Sequence, residues 1–421
     1  MATLLLAGPG GLLAPGGARA QAASTPNPDA AVDEFTRAVE ARRDELIAIR
    51  RDIHRHPEPS GEEERTASLV ADVLRDAGFE VTTGLGGHGV VGMLRGRADG
   101  PVLAFRADMD AVRGPADDPM EFRSVVPDVH HVCGHDIHTT VGLALAFGFS
   151  AIRDRLPGTV MLIFQPEEET ATGARAMLAD GVFGAAGPAS GPPDAVFAYH
   201  TAPLPVGQIM TRAGTLLPGR DRIRVTIRAD DDLAPVAEAV RALGAGLATD
   251  GSDQPMRPAG EPFIAVRGLQ AERNGPETRL VGAVLTSSGS EASQVARESL
   301  ERGLAELRRP GLDLELDYQE RWVAGTLNDA TLVERSGAAA RGILGEAAVR
   351  EAQSTTTVFS EDYGSFQQEA PGVMYFLGVS NPERGWVGMP HTPTYVADEE
   401  AIFVGAEVMA AVFLDLLRRP E

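Results

Sequence analysis

The hydrophobic positions in the first half of the chain predict helices alternating with short buried strands. Helical periodicity covers residues 32–49 and 62–77, and residues 139–152 form an apolar helical stretch. Short apolar runs are typical of buried strands, and they fall at residues 90–94, 102–105, 160–164 and 195–199. This alternation indicates an α/β layer, whose functional side chains collect where the strands end.

The pattern changes in the middle of the chain, where strands and helices follow the order βαββαβ. The strands are predicted at residues 223–228, 263–269, 279–286 and 312–318, and the helices at residues 233–247 and 291–307. This order is that of a ferredoxin-like domain, and the segment contains no histidine or cysteine. After residue 328 the α/β character returns, with a strand at 373–377 and a helix at 399–417.

We therefore expect an α/β fold, with a three-layer αβα domain that is split in sequence by an inserted α+β domain. The predicted division is a leader at 1–31, the first part of the α/β domain at 32–215, the insertion at 216–322 and the second part at 323–421.

The N-terminal segment and the overall charge bear on location and partners. Residues 1–23 are apolar and small, and Ala18-Arg19-Ala20 resembles a cleavage site, but no basic region precedes the apolar run. A signal-like or disordered leader is expected, which leaves a cytoplasmic and a secreted location both open. The 38 basic and 60 acidic residues give a net charge of −22, which argues against nucleic-acid and membrane partners.

The densest cluster of metal-binding residue types lies at residues 130–138, which read HHVCGHDIH and include the single cysteine. Cys133 and His135 are one residue apart, so a turn could aim both at one metal ion. His138 could be a ligand or a group that supports one, and we favour the supporting role. His130 and His131 face the same choice, with the ligand role less favoured.

Carboxylates follow two of the predicted strands. Residues 167–169 are three glutamates after the strand at 160–164, and on extended chain adjacent side chains point in opposite directions. One can then bind a metal while its neighbour takes a proton from water. Asp108 and Asp110 end another strand, where metal ligation, support of an imidazole and helix capping all remain open. His200 follows a further strand, and His391 lies in the last part of the chain.

The order of these motifs resembles the M20 metallopeptidases, in the amidohydrolase branch that contains N-acyl-amino-acid, hippurate and auxin-conjugate hydrolases. The resemblance covers nearly the whole chain after residue 35. Its motifs are HPE at 56–58, FRADMDA at 105–111, CGHD with HT at 133–139, FQP with EE at 164–169, GA and Met at 173–177, SEDYG at 360–364, YFLG at 375–378 and HTP at 391–393.

The resemblance implies a two-metal centre, with zinc, manganese or cobalt as the divalent ions. It implies Glu168 as general base and five ligands, namely Cys133, His135, Glu169, His200 and His391. Five ligands exceed one tetrahedral site, which agrees with two ions. Supporting or substrate-binding roles fall to Asp108, Asp110, Asp136, His138 and Asn274. The implied substrate is a small N-acyl amino acid or peptide-like amide, and the implied assembly is a homodimer formed through the inserted domain, which acts as a lid.

One departure concerns that lid. After its first strand the family carries a glycine-rich stretch with a histidine that reaches a partner's active site. Here Ile227-Arg228 runs into Ala229-Asp230-Asp231-Asp232, and no histidine lies between His200 and His391. Losing one oxyanion donor costs roughly 10²–10³-fold in rate. Three functions therefore remain: an amidohydrolase, a dipeptidase or carboxypeptidase, and a metal-binding homologue with weak or no catalysis.

Overall fold

The computed structural model describes residues 28–184, 191–229, 233–249, 254–274, 277–287 and 289–418. Residues 1–27 of the leader predicted at 1–31 therefore lie outside the described residues. The α-helices of the described chain are α1 (Pro28–Glu40), α2 (Arg43–Arg55), α3 (Glu64–Asp76), α4 (His135–Ala151), α5 (Gly173–Ala179), α6 (Ala234–Leu247), α7 (Gly289–Leu307), α8 (Ala330–Leu344) and α9 (Glu400–Leu416).

The strands fall in three stretches of the chain. The first stretch contains β1 (Glu80–Leu85), β2 (Gly89–Arg95), β3 (Val102–Asp108), β4 (Val112–Arg113), β5 (Val129–His130), β6 (Thr159–Gln165), β7 (Ala195–Pro205), β8 (Ile209–Thr211) and β9 (Gly214–Leu217). The middle stretch contains β10 (Gly219–Ala229), β11 (Met256–Pro258), β12 (Ile264–Asn274), β13 (Glu277–Thr286) and β14 (Leu312–Val323). The last contains β15 (Thr326–Asn328), β16 (Val349–Glu351), β17 (Ser354–Thr356) and β18 (Gly372–Ser380).

An eight-stranded mixed sheet forms the centre of the larger domain, in the order β1-β2-β6-β3-β7-β18-β8-β16. Four adjacent strands of this sheet, β6, β3, β7 and β18, run parallel to one another. Their carboxyl ends therefore meet at one edge. β18 comes from the last part of the chain and lies between β7 and β8, so both parts of the split domain build one sheet.

Alternate residues of the central strands face two hydrophobic cores. Along β3, Leu103 and Phe105 pack with α4 and α9 on one face, whereas Ala104 faces the other core with Met177 of α5 and Phe366. The side chains of β3 and of residues 195–202 in β7 are almost completely buried because helices cover both faces. This arrangement is the predicted three-layer αβα fold.

The inserted segment forms a separate four-stranded antiparallel sheet in the order β12-β13-β10-β14, with α6 and α7 packed on it. This strand order is that of a ferredoxin-like domain. The fold prediction is confirmed by these two sheets, while the predicted domain boundaries stay a prediction. Among the described residues no helix is long and apolar enough to cross a bilayer.

Two local predictions were wrong. The helical pattern at 32–49 is divided between α1 and α2, because the chain turns at Ala41 and Arg42 while the hydrophobic periodicity continues on both sides. The strand predicted at 195–199 continues to Pro205 as β7, since it gains backbone partners along β18. His200 therefore lies within a strand and not after its end.

Candidate metal centre

The Cys133–His135 turn is shaped by a glycine in the left-handed region. Gly134 has φ +88° and precedes α4. A Cβ atom at this position would overlap the hydroxyl of Tyr395 and the side chain of Thr201, so no larger residue fits. The turn places the side chains of Cys133 and His135 in the interior. Cys133 is 2% exposed and His135 is 0% exposed.

Two histidines are held so that their Nε2 atoms are available as ligands. His135 Nδ1 donates to the backbone carbonyl of Asp110 at 2.8 Å, and His200 Nδ1 donates to the carbonyl of Thr201 at 2.8 Å. Each bond fixes the tautomer and leaves an Nε2 lone pair, as in metal-ligating histidines. The Nε2 atom of His135 is buried and has no hydrogen-bond partner among the described residues, which fits the role of a metal ligand.

His138 is bonded differently, and the difference agrees with the supporting role favoured above. Its Nδ1 lies 2.6 Å from Asp108 Oδ1, and its Nε2 accepts from the backbone N–H of Thr201 at 2.8 Å. Both ring nitrogens therefore have protein partners. His138 has no lone pair left for a metal while these bonds persist.

The glutamate run forms a tight turn and not the extended chain that the sequence indicated. Glu167 and Ala171 have φ +55°, and the backbone N–H of Ala171 donates to the carbonyl of Glu168. The turn still separates the neighbours: Glu167 bonds Thr172, whereas a carboxylate oxygen of Glu168 and one of Glu169 each lie 3.7 Å from His135 Nε2. Different tasks for adjacent glutamates thus come from a turn.

His200 and His391 complete the cluster from distant parts of the chain. Cys133 Sγ lies 3.5 Å from His200 Nε2, and Glu169 Oε1 lies 3.5 Å from His391 Nε2. His391 sits in a loop with φ +58°, and its backbone N–H donates to the carbonyl of Val132. Its side chain is 53% exposed, so it borders the open side of the cluster.

These ligand atoms form two overlapping groups that share Glu169. One oxygen, nitrogen or sulfur atom from each of Cys133, Glu169 and His391 lies within 4.8 Å of the others, and the same holds for His135, Glu168 and Glu169. A thiolate, imidazoles and carboxylates are donors that suit zinc, manganese or cobalt. The residues therefore fit a centre of two adjacent divalent ions.

The electrostatics of the cluster also favour cations. Burial, with repulsion from Glu361 and Glu169, raises the pKa of Glu168 well above its usual value. Burial likewise raises the pKa of Glu169 to about 7 and holds the pKa of the Cys133 thiol well above its normal range. Burial lowers the pKa of His200 to about 3, which keeps this imidazole neutral and able to donate a lone pair.

The remaining predicted residues support the cluster or lie outside it. Asp110 Oδ2 accepts from the hydroxyl of Ser60 at 2.6 Å and from the backbone N–H of Glu169 at 2.9 Å. Asp136 forms ion pairs with Arg50 and His54 on the far side of the turn. Asn274 is the last residue of β12, and its side chain lies outside the described residues, as do Asp230–Asp232 of the shortened lid segment.

Sequence reasoning missed a buried charge network beside the base. Arg106 donates to Asp108, Glu361 and Asp362 over 2.6–3.2 Å, and all four side chains are almost fully buried. One carboxylate oxygen of Glu361 lies within 4.8 Å of one from Glu168 and one from Asp108. The SEDYG motif at 360–364 was the available signal, but nothing in its local pattern indicates that it meets residue 168.

Comparison with known proteins decides the family. Residues 104–415 match Peptidase family M20/M25/M40. The chain belongs to this family. The matched range includes all five candidate ligands and reaches into both parts of the split domain, so it spans the cluster described above.

Relatives and solved structures agree with this membership. The chain is 31% identical to N-acetylcysteine deacetylase of Bacillus subtilis, over 88% of this chain and 97% of that protein. It is 28% identical to thermostable carboxypeptidase 2 of Saccharolobus solfataricus, over 89% and 96%. The crystal structure of the Bacillus subtilis YXEP protein, described as a dinuclear metal-binding peptidase of the M20 family, superposes with a TM-score of 0.72 at 28% identity, over 90% and 99%. The prediction of a metal-dependent hydrolase of amide bonds is confirmed.

Proposed function

We propose that this M20 family member hydrolyses the amide bond of N-acyl amino acids or similar small amides at a centre of two divalent ions. The observation that carries the proposal is the cluster of Cys133, His135, Glu169 and His200 next to Glu168, bordered on its open side by His391, with a histidine nitrogen that has no protein partner. The N-acetylcysteine deacetylase relative supports an N-acyl substrate.

The roles of the protein groups follow from their contacts. Divalent ions held there would lower the pKa of water and polarise the substrate carbonyl. Glu168 is 8% exposed and lies at the cluster, so it can accept a proton from the attacking water and deliver it to the leaving nitrogen. Asp110 orients His135 through its backbone carbonyl and holds the Glu169 backbone through its carboxylate.

The substrate test is a panel of N-acyl amino acids and dipeptides, assayed with Mn²⁺, Zn²⁺ or Co²⁺ added back to metal-free protein. The proposal expects turnover of acyl amino acids to exceed that of dipeptides. Faster cleavage of the dipeptides would instead assign a peptidase, which is the second candidate and is favoured by the carboxypeptidase relative.

The metal test separates an enzyme from a metal-binding homologue without catalysis. About two ions per chain are expected, and Cys133→Ser should lose at least one, because a hydroxyl replaces a thiolate poorly. Two bound ions without turnover of any substrate would support the non-catalytic alternative. Full metal content in the Cys133→Ser protein would exclude Cys133 as a ligand.

A homodimer formed through the lid is also part of the proposal. The strand β12 is at the edge of the four-stranded sheet, and an edge strand can pair with a second chain. Molar mass measured by light scattering on the eluting peak tests it, and a mass of one chain at micromolar concentration would contradict it.

A further inference from the structure

His54 contacts two carboxylates, one of which follows a candidate metal ligand in sequence. Its Nδ1 lies 2.8 Å from Asp136 Oδ2, and its Nε2 lies 2.8 Å from Asp118 Oδ2. Asp136 follows the candidate ligand His135 on α4. His54 itself is on α2 and is 6% exposed.

This geometry needs the doubly protonated ring. A neutral imidazole carries one N–H, so it can donate to one of the two carboxylates and must turn a lone pair toward the other. The imidazolium donates to both, and hydrogen bonds between charged groups are the stronger kind. Loss of one proton from His54 therefore breaks one of the two contacts.

Asp118 belongs to a loop at the rim of the metal centre, which comprises residues 114–128 and is called here the rim loop. The loop leaves β4 and returns through β5, three residues before Cys133. Its Asp117 N–H donates to the carbonyl of Pro393 at 2.7 Å, two residues beyond His391. The rim loop thus touches the chain on both sides of the cluster.

Aromatic packing attaches the rim loop to the same helix. Phe122 of the loop meets the His54 ring edge-on, with the centroids 5.3 Å apart. The guanidinium groups of Arg50 and Arg51 lie 4.8 and 4.9 Å from the Phe122 ring. The loop therefore has a hydrophobic anchor that does not titrate and an ionic anchor that does.

We propose that the imidazolium of His54 is a positioning group, which ties the rim loop to Asp136 and thereby holds the segment that carries His391. Deprotonation of His54 releases Asp118 and loosens the contact between Asp117 and Pro393. The part that concerns His391 as a ligand rests on the proposed function, whereas the tie between His54 and the rim loop does not.

The charges that face His54 come from every element packed against it. Arg50 of α2 pairs with the same Asp136 oxygen at 2.8 Å, while Asp136 and Asp118 supply two negative charges. His130 and His131 also face this group, and burial lowers the pKa of both. Burial and Arg50 lower the pKa of His54, but the two carboxylates outweigh them, so its pKa is raised and the imidazolium persists to higher pH than that of an ordinary histidine.

Hydrogen exchange of the full chain tests the tie, with and without Mn²⁺, between pH 6 and pH 10. Protection is expressed relative to the intrinsic exchange rate at each pH, and the amides of Asp117 and Val125 are the probes, since both donate to carbonyls outside the loop. The wild-type protein should lose about tenfold in protection at these amides as the pH rises through the raised pKa of His54.

Variants identify the group. His54→Gln should show low protection in the rim loop at every pH, and Asp118→Asn should move the wild-type transition to lower pH. The matched control is His56→Gln: His56 lies on the same helix end, is bonded locally to Asp52, and has no contact with the rim loop among the described contacts. It should behave as wild type.

Two results would overturn the proposal. One is wild-type protection at Asp117 and Val125 in folded His54→Gln protein; the other is a pH transition that is unchanged in Asp118→Asn. If His54→Gln does not fold, the Asp118→Asn result decides alone.

Mn²⁺ titration adds a second readout, in which His54→Gln should bind the weaker of two ions about tenfold less tightly. A protein that hydrolyses none of the tested substrates could still give the expected exchange result. The proposed function and the tie between His54 and the rim loop can therefore fail independently.

Discussion

At the scale of single residues, neighbours in sequence have sharply different environments. Glu168 and Glu169 both lie near His135 Nε2, but Glu169 also approaches His391 and has its backbone held by Asp110. Glu168 instead lies next to Glu361. One carboxylate is thus placed among ligands and the other among acids, which supports the division into ligand and base.

Exchanging each glutamate for glutamine separates these roles. Glu168→Gln should keep its metal and lose at least about 10²-fold in kcat, because the amide cannot take a proton. Glu169→Gln should lower the metal content, because the neutral oxygen holds a cation weakly. Elemental analysis beside turnover measures both effects. Interchanged phenotypes would mean that the two roles are reversed.

Glu63 offers a prediction about pH and stability. Burial raises the pKa of this fully covered carboxyl to about 6, above the value of 4.5 in the unfolded chain. The folded state therefore keeps its proton longer, so the stability contribution of Glu63 is present below pH 4.5 and is lost as the pH rises through 6.

Glu63→Gln should remove this loss. In metal-free protein the variant is expected to be about 1–2 kcal/mol more stable than wild type at pH 8 and equal to it at pH 4. Urea denaturation at both pH values measures the difference. An equal effect at pH 4 and pH 8 would mean that the charge of Glu63 is not the cause.

At the scale of elements, the turn before α4 depends on one glycine, and a second glycine provides the control. Gly134 and Gly181 have nearly the same positive φ, +88° and +84°, but a Cβ at Gly181 would meet nothing within 4 Å. Alanine at either position pays the backbone cost of about 1–2 kcal/mol. Alanine at Gly134 also overlaps Tyr395 and Thr201.

Gly134→Ala should therefore destabilise the protein by clearly more than Gly181→Ala, and it should also reduce bound metal, because it displaces Cys133 and His135. Thermal unfolding and metal content of the two variants give the comparison. If both variants lose the same stability and keep full metal, the packing around Gly134 does not hold the turn in place.

The elements also show what the sequence could predict. The sequence shows locally that short apolar strands precede Asp108, the glutamates at 167–169 and His200. Each of these donor residues lies near the end of its own hydrophobic run. The contacts of Glu361 with Arg106 and of His54 with Asp136 span 255 and 82 residues, and no local periodicity encodes such pairs. The turn at Glu167 was missed because positive φ at a non-glycine residue has no pattern in hydrophobicity.

At the scale of the whole molecule, the lid can be separated from the larger domain in a defined way. Leu217 of β9 and Thr326 of β15 are direct partners in a two-stranded ladder, so the chain enters and leaves the lid at one place. A short glycine linker between these strands could replace the lid without stretching the larger domain.

Such a deletion tests the pH dependence of catalysis. The chain has no histidine between His200 and His391, so the lid should contribute no ionisation near pH 6.5 to the pH–rate profile. The full chain and the lid-deleted variant should show the same ionisations near neutrality, provided that the variant is folded and holds metal. Loss of such an ionisation on deletion would reveal a titrating lid group.

The position of β18 has a consequence for synthesis on the ribosome. Residues 195–202 of β7 are buried on both faces, yet the neighbouring strand β18 is translated some 170 residues later, after the entire lid. A nascent chain that has completed the lid therefore presents β7 as an open, aggregation-prone edge. Ribosome-bound chains that end near residue 330 should need chaperone protection, and the released full-length chain should not.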